Sequence, residues 1–339
     1  MLCWTRRTGT IPLTVMKPVK EKKPLAVRSF HCCRRTFLVG AFVLSCSAVV
    51  VPSPADGQSR LTATLTLPMR EGGGIRFWKL PGTSGLSQTR VSNIVQDDQG
   101  FIWFGTQNGL NRFDGYTCKV FHHDRQNPNS LSGVYIHALF KDRSGFIWVG
   151  SDQFLDRFDP VTESFTRYSL TASNIKDRSV TVIDISQDSS SQLWLSTNSG
   201  LFRLDPATGH STRFFHNAGD QATIGDDNIK SSGEDREGRF WVATSRSLDQ
   251  LNRATGKVVR HIELPYSGLG AFFHEDRFGV FWVVYGDDGL PATLDLASGK
   301  FTRYRFSPYA RLDRLNSRVY AMVEDNDGNM RFGAENGVV

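Results

Sequence analysis

From Val91 onward the chain alternates apolar and polar positions in short runs, and the runs come in fours. Between residues 134 and 168 Val134-Tyr-Ile-His-Ala-Leu-Phe140 has the two-residue period of a half-buried strand, and Phe146-Ile-Trp-Val-Gly150, Phe154-Leu-Asp-Arg-Phe158 and Ser164-Phe-Thr-Arg-Tyr168 supply three more. Asp142-Arg-Ser-Gly145 predicts the turn between the first two, with Asp capping its own backbone and Gly supplying a positive φ. No stretch shows helical spacing. One period therefore predicts one four-stranded antiparallel sheet.

The same phrase returns along the chain as Asp97-Asp-Gln-Gly-Phe-Ile-Trp103, Asp142-Arg-Ser-Gly-Phe-Ile-Trp148, Asp188-Ser-Ser-Ser-Gln-Leu-Trp194, Asp235-Arg-Glu-Gly-Arg-Phe-Trp241 and Asp276-Arg-Phe-Gly-Val-Phe-Trp282. A sixth copy, Asp325-Asn-Asp-Gly-Asn-Met-Arg331, has Arg in place of Trp. Successive tryptophans stand 45, 46, 47 and 41 residues apart. A period of that length carrying four strands predicts a β-propeller, in which each sheet packs its face on the next. Trp103, Trp148, Trp194, Trp241 and Trp282 are expected to fill the inter-blade core. The expected fold is all-β, with seven blades in the complete protein. In this chain five full blades and a partial sixth are expected, with Ile75-Arg-Phe-Trp-Lys-Leu80 as an orphan N-terminal fourth strand. Three blades depart from the pattern, with Ser191 replacing the turn Gly in blade three, Ser247-Leu248 replacing the Gly-Leu before the third strand of blade four and Arg331 replacing Trp in blade six. Less regular sheets are expected in blades four and six.

Composition changes the picture at the N-terminus. The formal charge of +6 and pI near 9.1 point toward an anionic partner. Residues 1–57, however, hold nine Lys or Arg against Glu21 and Asp56, leaving 31 basic and 32 acidic residues in the remainder. The basic charge belongs to a leader, and nucleic acid is rejected as a partner. Arg34-Arg35 precedes an apolar run from Phe37 to Val51 and then Pro52-Ser-Pro-Ala-Asp-Gly57, the layout of a secretory signal peptide with cleavage after Gly57. Arg34-Arg35-Thr36-Phe37-Leu38 resembles a twin-arginine signal, and Val43-Leu44-Ser45-Cys46 loosely a lipoprotein box; an uncleaved anchor is the third form. A later start at Met16 would shorten the long basic segment. All place the body outside the cytoplasm, as a periplasmic or extracytoplasmic domain. The expected organisation is a leader over 1–57, a linker over 58–74 and the propeller over 75–339.

Cys3, Cys32, Cys33 and Cys46 fall in the leader and only Cys118 in the body, so neither an intrachain disulfide framework nor a cysteine metal site is expected there. His122-His123 reads as a solvated pair at a strand end, and the 325–329 turn lacks the ligand pattern of a calcium loop. No paired carboxylates or nucleophile constellation stands out. Neither catalytic residues nor a metal or cofactor is expected, and the chain is read as a binding module.

In a propeller, the loops leading into the first strands and those joining second to third strands gather on one face. Here they carry Gln107, Asn108, Asp152, Asn198, Asp226, Asp227, Asp287 and Asp288, and Tyr135 adds a surface on which a sugar ring could stack. These nine residues are the candidate ligand contacts, although solvated loops are polar without any function.

Gly85-Leu86-Ser87, Val91 to Asp97, Phe101-Ile-Trp-Phe-Gly-Thr106, Gly109-Leu-Asn-Arg-Phe-Asp-Gly115 and Ser130-Leu-Ser132 together resemble the two-component regulator propeller family. The resemblance implies the periplasmic sensor half of a membrane histidine kinase or hybrid sensor kinase, less often of a diguanylate cyclase. It further implies an oligosaccharide or other small ligand, a C-terminal membrane span and kinase beyond this N-terminal fragment, and room for a homodimer in the complete protein. Membrane contact is expected only through the leader or that missing span. Two other classes compete: a secreted propeller lyase or glycosidase, whose acid pair is not visible, and a passive protein-binding scaffold.

Overall fold

The computed structural model describes residues 61–67, 85–170, 180–266, 268, 271–306, 318–334 and 337–338. The leader and the strand expected at 75–80 lie outside the described residues.

Blade one is β2 (Val91–Gln96), β3 (Ile102–Thr106), β4 (Gly109–Phe113) and β5 (Cys118–Phe121), and blade two is β6 (Ile136–Lys141), β7 (Ile147–Ser151), β8 (Leu155–Asp159) and β9 (Ser164–Tyr168). Blade three is β10 (Val182–Gln187), β11 (Leu193–Thr197), β12 (Gly200–Leu204) and β13 (Ser211–Phe214). Blade four is β14 (Ile229–Glu234), β15 (Phe240–Thr244), β16 (Ser247–Asn252) and β17 (Lys257–Glu263). Blade five is β18 (Phe272–Glu275), β19 (Phe281–Tyr285), β20 (Leu290–Asp295) and β21 (Lys300–Phe306). The sixth sheet is β22 (Val319–Glu324), β23 (Met330–Ala334) and β24 (Gly337–Val338). Neighbouring strands within these six sheets run antiparallel, and the first strands of the first five follow one another in contact.

The linker expected over 58–74 contains a strand. β1 (Leu61–Leu67) lies parallel along β21, from Leu61 opposite Phe301 to Leu67 opposite Phe306, and makes blade five a five-stranded sheet. Leu61-Thr-Ala-Thr-Leu-Thr-Leu67 has the two-residue period of a strand but none of the repeat signature. Blade four, expected to be irregular, is a full four-stranded sheet. Its core positions Leu248, Leu251 and Ile262 are kept, and the Ser247 hydroxyl lies 2.9 Å from that of Thr244, at the position that Gly109, Gly200 and Gly289 hold in blades one, three and five.

The core is divided among the blade junctions. Trp103 packs on Phe121 and Phe158, Trp148 on Tyr168, Trp194 on Phe214 and Phe240, and Trp241 on Phe281. All four indoles are fully buried, and their clusters join residues of consecutive blades. The signature Asp does more than form a turn. In blade two, Asp142 accepts the amides of Ser144 and Phe146 on Oδ1 at 2.9 and 3.0 Å, and the Trp148 indole N–H on Oδ2 at 2.7 Å. The indole bond recurs at Asp97, Asp188, Asp235 and Asp276. In the sixth sheet Arg331 supplies the missing donor, its Nε 2.9 Å from Asp325 Oδ2, so the substitution keeps the bond while losing the ring. Position four of the turn requires positive φ. Gly100, Gly145, Gly238, Gly279 and Gly328 provide it freely, whereas Ser191 adopts φ 63°.

The residue after each signature Asp reaches the next blade. Arg143 donates to Gln187 and to the Asp188 carbonyl, Ser189 to Glu234, Arg236 to Glu275 and the Asp276 carbonyl, and Arg277 to Glu324 and the Asp325 carbonyl. These ties stitch successive sheets along the turn end of the blades. The opposite end carries the candidate site.

Candidate functional site on the loop face

At that opposite end a second repeated device fixes the incoming loops. A polar residue in the middle of the third strand accepts from the loop that leads into the blade. Asn111 takes the Ser87 amide at 2.8 Å, Asp156 takes the Ser132 amide at 2.8 Å and its hydroxyl at 2.5 Å, and Asp249 takes the Gly225 amide at 2.7 Å. Burial pushes the Asp156 carboxyl up against the opposing pull of Ser132 and Arg167. The hydroxyl at the end of the second strand closes the next turn: Thr106 bonds the Gly109 carbonyl at 2.9 Å, Thr197 that of Gly200 at 2.6 Å and Thr244 that of Ser247 at 3.2 Å.

On this frame half-buried and exposed polar residues form a ribbon across the first three blades. Gln88 donates to Gln107 at 3.4 Å, and Gln107 Nε2 reaches the Tyr135 hydroxyl at 3.5 Å. Tyr135 lies against His137, ring centroids 4.1 Å apart. His137 Nε2 sits 2.8 Å from Asp152 Oδ1, which also takes the Thr181 hydroxyl at 3.3 Å. The Thr181 amide donates to Asn198 Oδ1 at 3.0 Å, and the Gly200 amide to the Asp227 carbonyl at 2.6 Å. The structure thus connects Gln107, Tyr135, Asp152 and Asn198 through His137 and Thr181, which the loop inventory had no reason to include. Asn108 is exposed beside the ribbon, its amide 3.5 Å from the Ser87 carbonyl.

Asp226 and Asp227 behave as ties. Asp226 accepts the Ser245 hydroxyl at 2.6 Å and the Asn228 amide at 2.9 Å, with Arg246 at 3.7 Å. Burial pushes its carboxyl up, but these donors outweigh that and hold it below the usual range. Asp227 takes the His216 amide at 2.7 Å. Asp287 and Asp288 sit apart on blade five, where Asp288 pairs with Arg303 and the Asp287 carbonyl accepts from Arg318 at 2.6 Å. Beside them the first strands of blades three to six line a cavity of about 550 Å³ that includes Asp184, Lys230, Phe272 and Arg318. Desolvation pushes the Asp184 carboxyl up to about 6, against the amides of Ile185 and Ser232, and pulls the Lys230 ammonium down against the pull of Asp226. Among the described residues no group of His, Cys, Asp and Glu is placed to hold a metal ion.

Successive four-stranded antiparallel sheets, with Trp-filled junctions and polar loops at one end, define a β-propeller. Residues 85–108 and 130–153 each match the two-component regulator propeller repeat. Over 48 residues it is 46% identical to the histidine kinase P4 of Formosa agariphila, a stretch covering 14% of this chain and 4% of the kinase. The fold is shared with the extracellular domain assigned to the hybrid two component system BT3049 of B. thetaiotaomicron, with a TM-score of 0.63 and 24% identity over 76% of this chain and 34% of that one. It is also shared with virginiamycin B lyase from Staphylococcus aureus, with a TM-score of 0.57 and 14% identity over 75% and 80% of the two chains. The chain therefore spans about a third of the solved two-component relative.

Proposed function

We propose that this chain is the extracytoplasmic sensing part of a two-component system, and that the ribbon of Gln107, Tyr135, His137, Asp152, Thr181 and Asn198 binds the hydroxyl groups of a small saccharide. The carrying observation is the ribbon itself: alternating amide, hydroxyl, imidazole and carboxylate groups run without a break over three blades, beside the half-buried ring of Tyr135. Hydroxyl groups both donate and accept, and such a mixed row meets both needs, while an aromatic face takes the apolar side of a sugar ring. Export is supported by the basic and apolar layout of residues 1–57. Occupancy of the ribbon would be passed to a kinase module, a role supported by the family and by the kinase that shares its repeat. An oligosaccharide array probed with the full chain and with Tyr135→Ala and Asp152→Asn tests this. Binding that falls about tenfold or more in both variants, with melting unchanged, is expected. Array binding indifferent to both substitutions would remove the ribbon as the site.

A further inference from the structure

The 550 Å³ cavity lies where the first strands of blades three to six come together, and residues from the second and third positions of β10, β14 and β22 form part of its wall, Asp184, Lys230 and Tyr320 among them. Gly286 and Gly289, from the turn between β19 and β20, and Arg318, just ahead of β22, complete it at the end of the blades that carries the ribbon. Tyr320 is 61% exposed, so the cavity is reached from solvent.

Lys230 is set apart from its counterparts. Ser92 and His137 hold the same second position in blades one and two, and both are tied: Ser92 donates to the Ile136 carbonyl at 2.6 Å, and His137 sits 2.8 Å from Asp152. Lys230 is half-buried, yet among the described residues it makes neither a hydrogen bond nor an ion pair. Asp226 is the charge that acts on it, and that carboxylate is already committed to the Ser245 hydroxyl and the Asn228 amide, with Arg246 nearby. Burial accordingly pulls the ammonium down, as expected of a charge that lacks a close counter-ion.

Arg318 is the second cation of the wall. Its Nε and Nη2 donate to the Asp287 carbonyl at 3.2 and 2.6 Å, so the guanidinium is held in place by an uncharged acceptor and is not neutralised. Its stem lies against Gly289, where a Cβ would stand 2.7 Å from Arg318 Cγ and where φ is 57°, so glycine leaves the room in which the arginine reaches the cavity. Against these two cations the wall sets one acid, Asp184, which accepts the amides of Ile185 and Ser232 and pairs with neither cation. Much of the remaining wall is apolar, with Ile183, Phe272, Phe273, Val284 and Val319. Two cations without counter-ions beside an apolar wall suit an anion that has an apolar body.

We infer that this cavity is a second ligand site, which takes a small organic anion: Lys230 and Arg318 meet its charged group, and Phe272 and Val284 its apolar body. The site is separate from the ribbon and does not rest on the saccharide reading. The test is isothermal titration at pH 7.5 of the full chain and of Lys230→Gln, Arg318→Gln, Asp184→Asn and Asp152→Asn with benzoate, phenyl phosphate and benzyl alcohol. Both anions are expected to bind more tightly than the neutral alcohol. Benzoate should weaken about fivefold or more in Lys230→Gln and in Arg318→Gln and tighten in Asp184→Asn, because the first two remove an attracting charge and the third a repelling one. Lys230→Gln should melt at or above the parent temperature, since Lys230 has no partner to lose, so its loss of affinity is not a loss of folding. Asp152→Asn should leave both anions untouched. Phenyl phosphate binding more tightly than benzoate would support the site with a phosphate ester as its charged group, and the reverse order would support it with a carboxylate. Benzyl alcohol binding as tightly as benzoate, benzoate affinity unchanged in both Lys230→Gln and Arg318→Gln, or no binding of either anion would overturn the site.

Discussion

The contact between the signature Asp and its Trp is open to a quantitative test in blade two. Asp142 is 3% exposed and Trp148 fully buried, and their 2.7 Å bond joins an ionised acceptor to an indole donor away from water. Asp142→Asn keeps an oxygen for the amides of Ser144 and Phe146 but turns an NH₂ group toward the indole N–H. Trp148→Phe removes the indole donor and leaves the carboxylate one partner short. A hydrogen bond to a charged group contributes about 1.5–3 kcal/mol, and the volume lost on Trp→Phe adds about 1 kcal/mol. Each single variant should therefore lose about 2–4 kcal/mol. In the double variant the opposed donors are gone, so its loss should fall short of the sum by about 1.5–3 kcal/mol. Urea-denaturation midpoints of the four proteins at pH 7, with the slope checked for constancy, supply the cycle. Losses that add to within about 0.5 kcal/mol would show that the two residues act independently, the Asp through its turn and the Trp through packing.

Three further outcomes follow from the same geometry. Trp148→Ala, which empties a fully buried indole site, should cost about 3–5 kcal/mol and act through folding; loss of ligand without loss of stability would refute a structural role. Arg331→Ala should loosen the sixth sheet by about 2 kcal/mol while Arg331→Trp should not, read from hydrogen exchange at residues 319–324. Asp184 has its carboxyl raised from 3.8 to about 6 in the folded chain, so folding favours its protonated form; that contribution is complete below about pH 4 and lost as pH rises through 6. Asp184→Asn should then match the parent at pH 4 and exceed it by up to about 3 kcal/mol at pH 7.5, as measured by paired thermal melts at the two pH values.

The blades were legible because the turn phrase and the two-residue alternation agree at every copy, and each has a physical cause: positive φ at the fourth position and a buried face on the neighbouring sheet. Blade four shows the limit of reading departures one residue at a time, since Ser247 can replace Gly when Thr244 closes the turn. β1 was written plainly as alternating Leu and Thr, with Ala63 among them, yet outside the repeat nothing local tells a strand which edge it will join. Half of the ribbon was visible as loop polarity. His137 and Thr181 were not, because both belong to the start of a first strand, where residues read as blade rather than as loop. The Tyr285 hydroxyl and Arg303 Nε are buried without a hydrogen-bond partner, which composition could not reveal because each residue is ordinary by itself.

The parallel pairing of β1 with β21 has a consequence in time. Most strand partners in this chain are neighbours in sequence, and such local pairings form fast. β1 and β21 are separated by about 240 residues, so β1 cannot find its partner until the five blades between them have been made. If residues 1–57 direct export, the segment just behind them stays unpaired during synthesis and adds no early structure to the part of the chain that must thread first through a translocation pore. Closing blade five then waits on the synthesis of β21, long after the pairings inside blades one to four have become available.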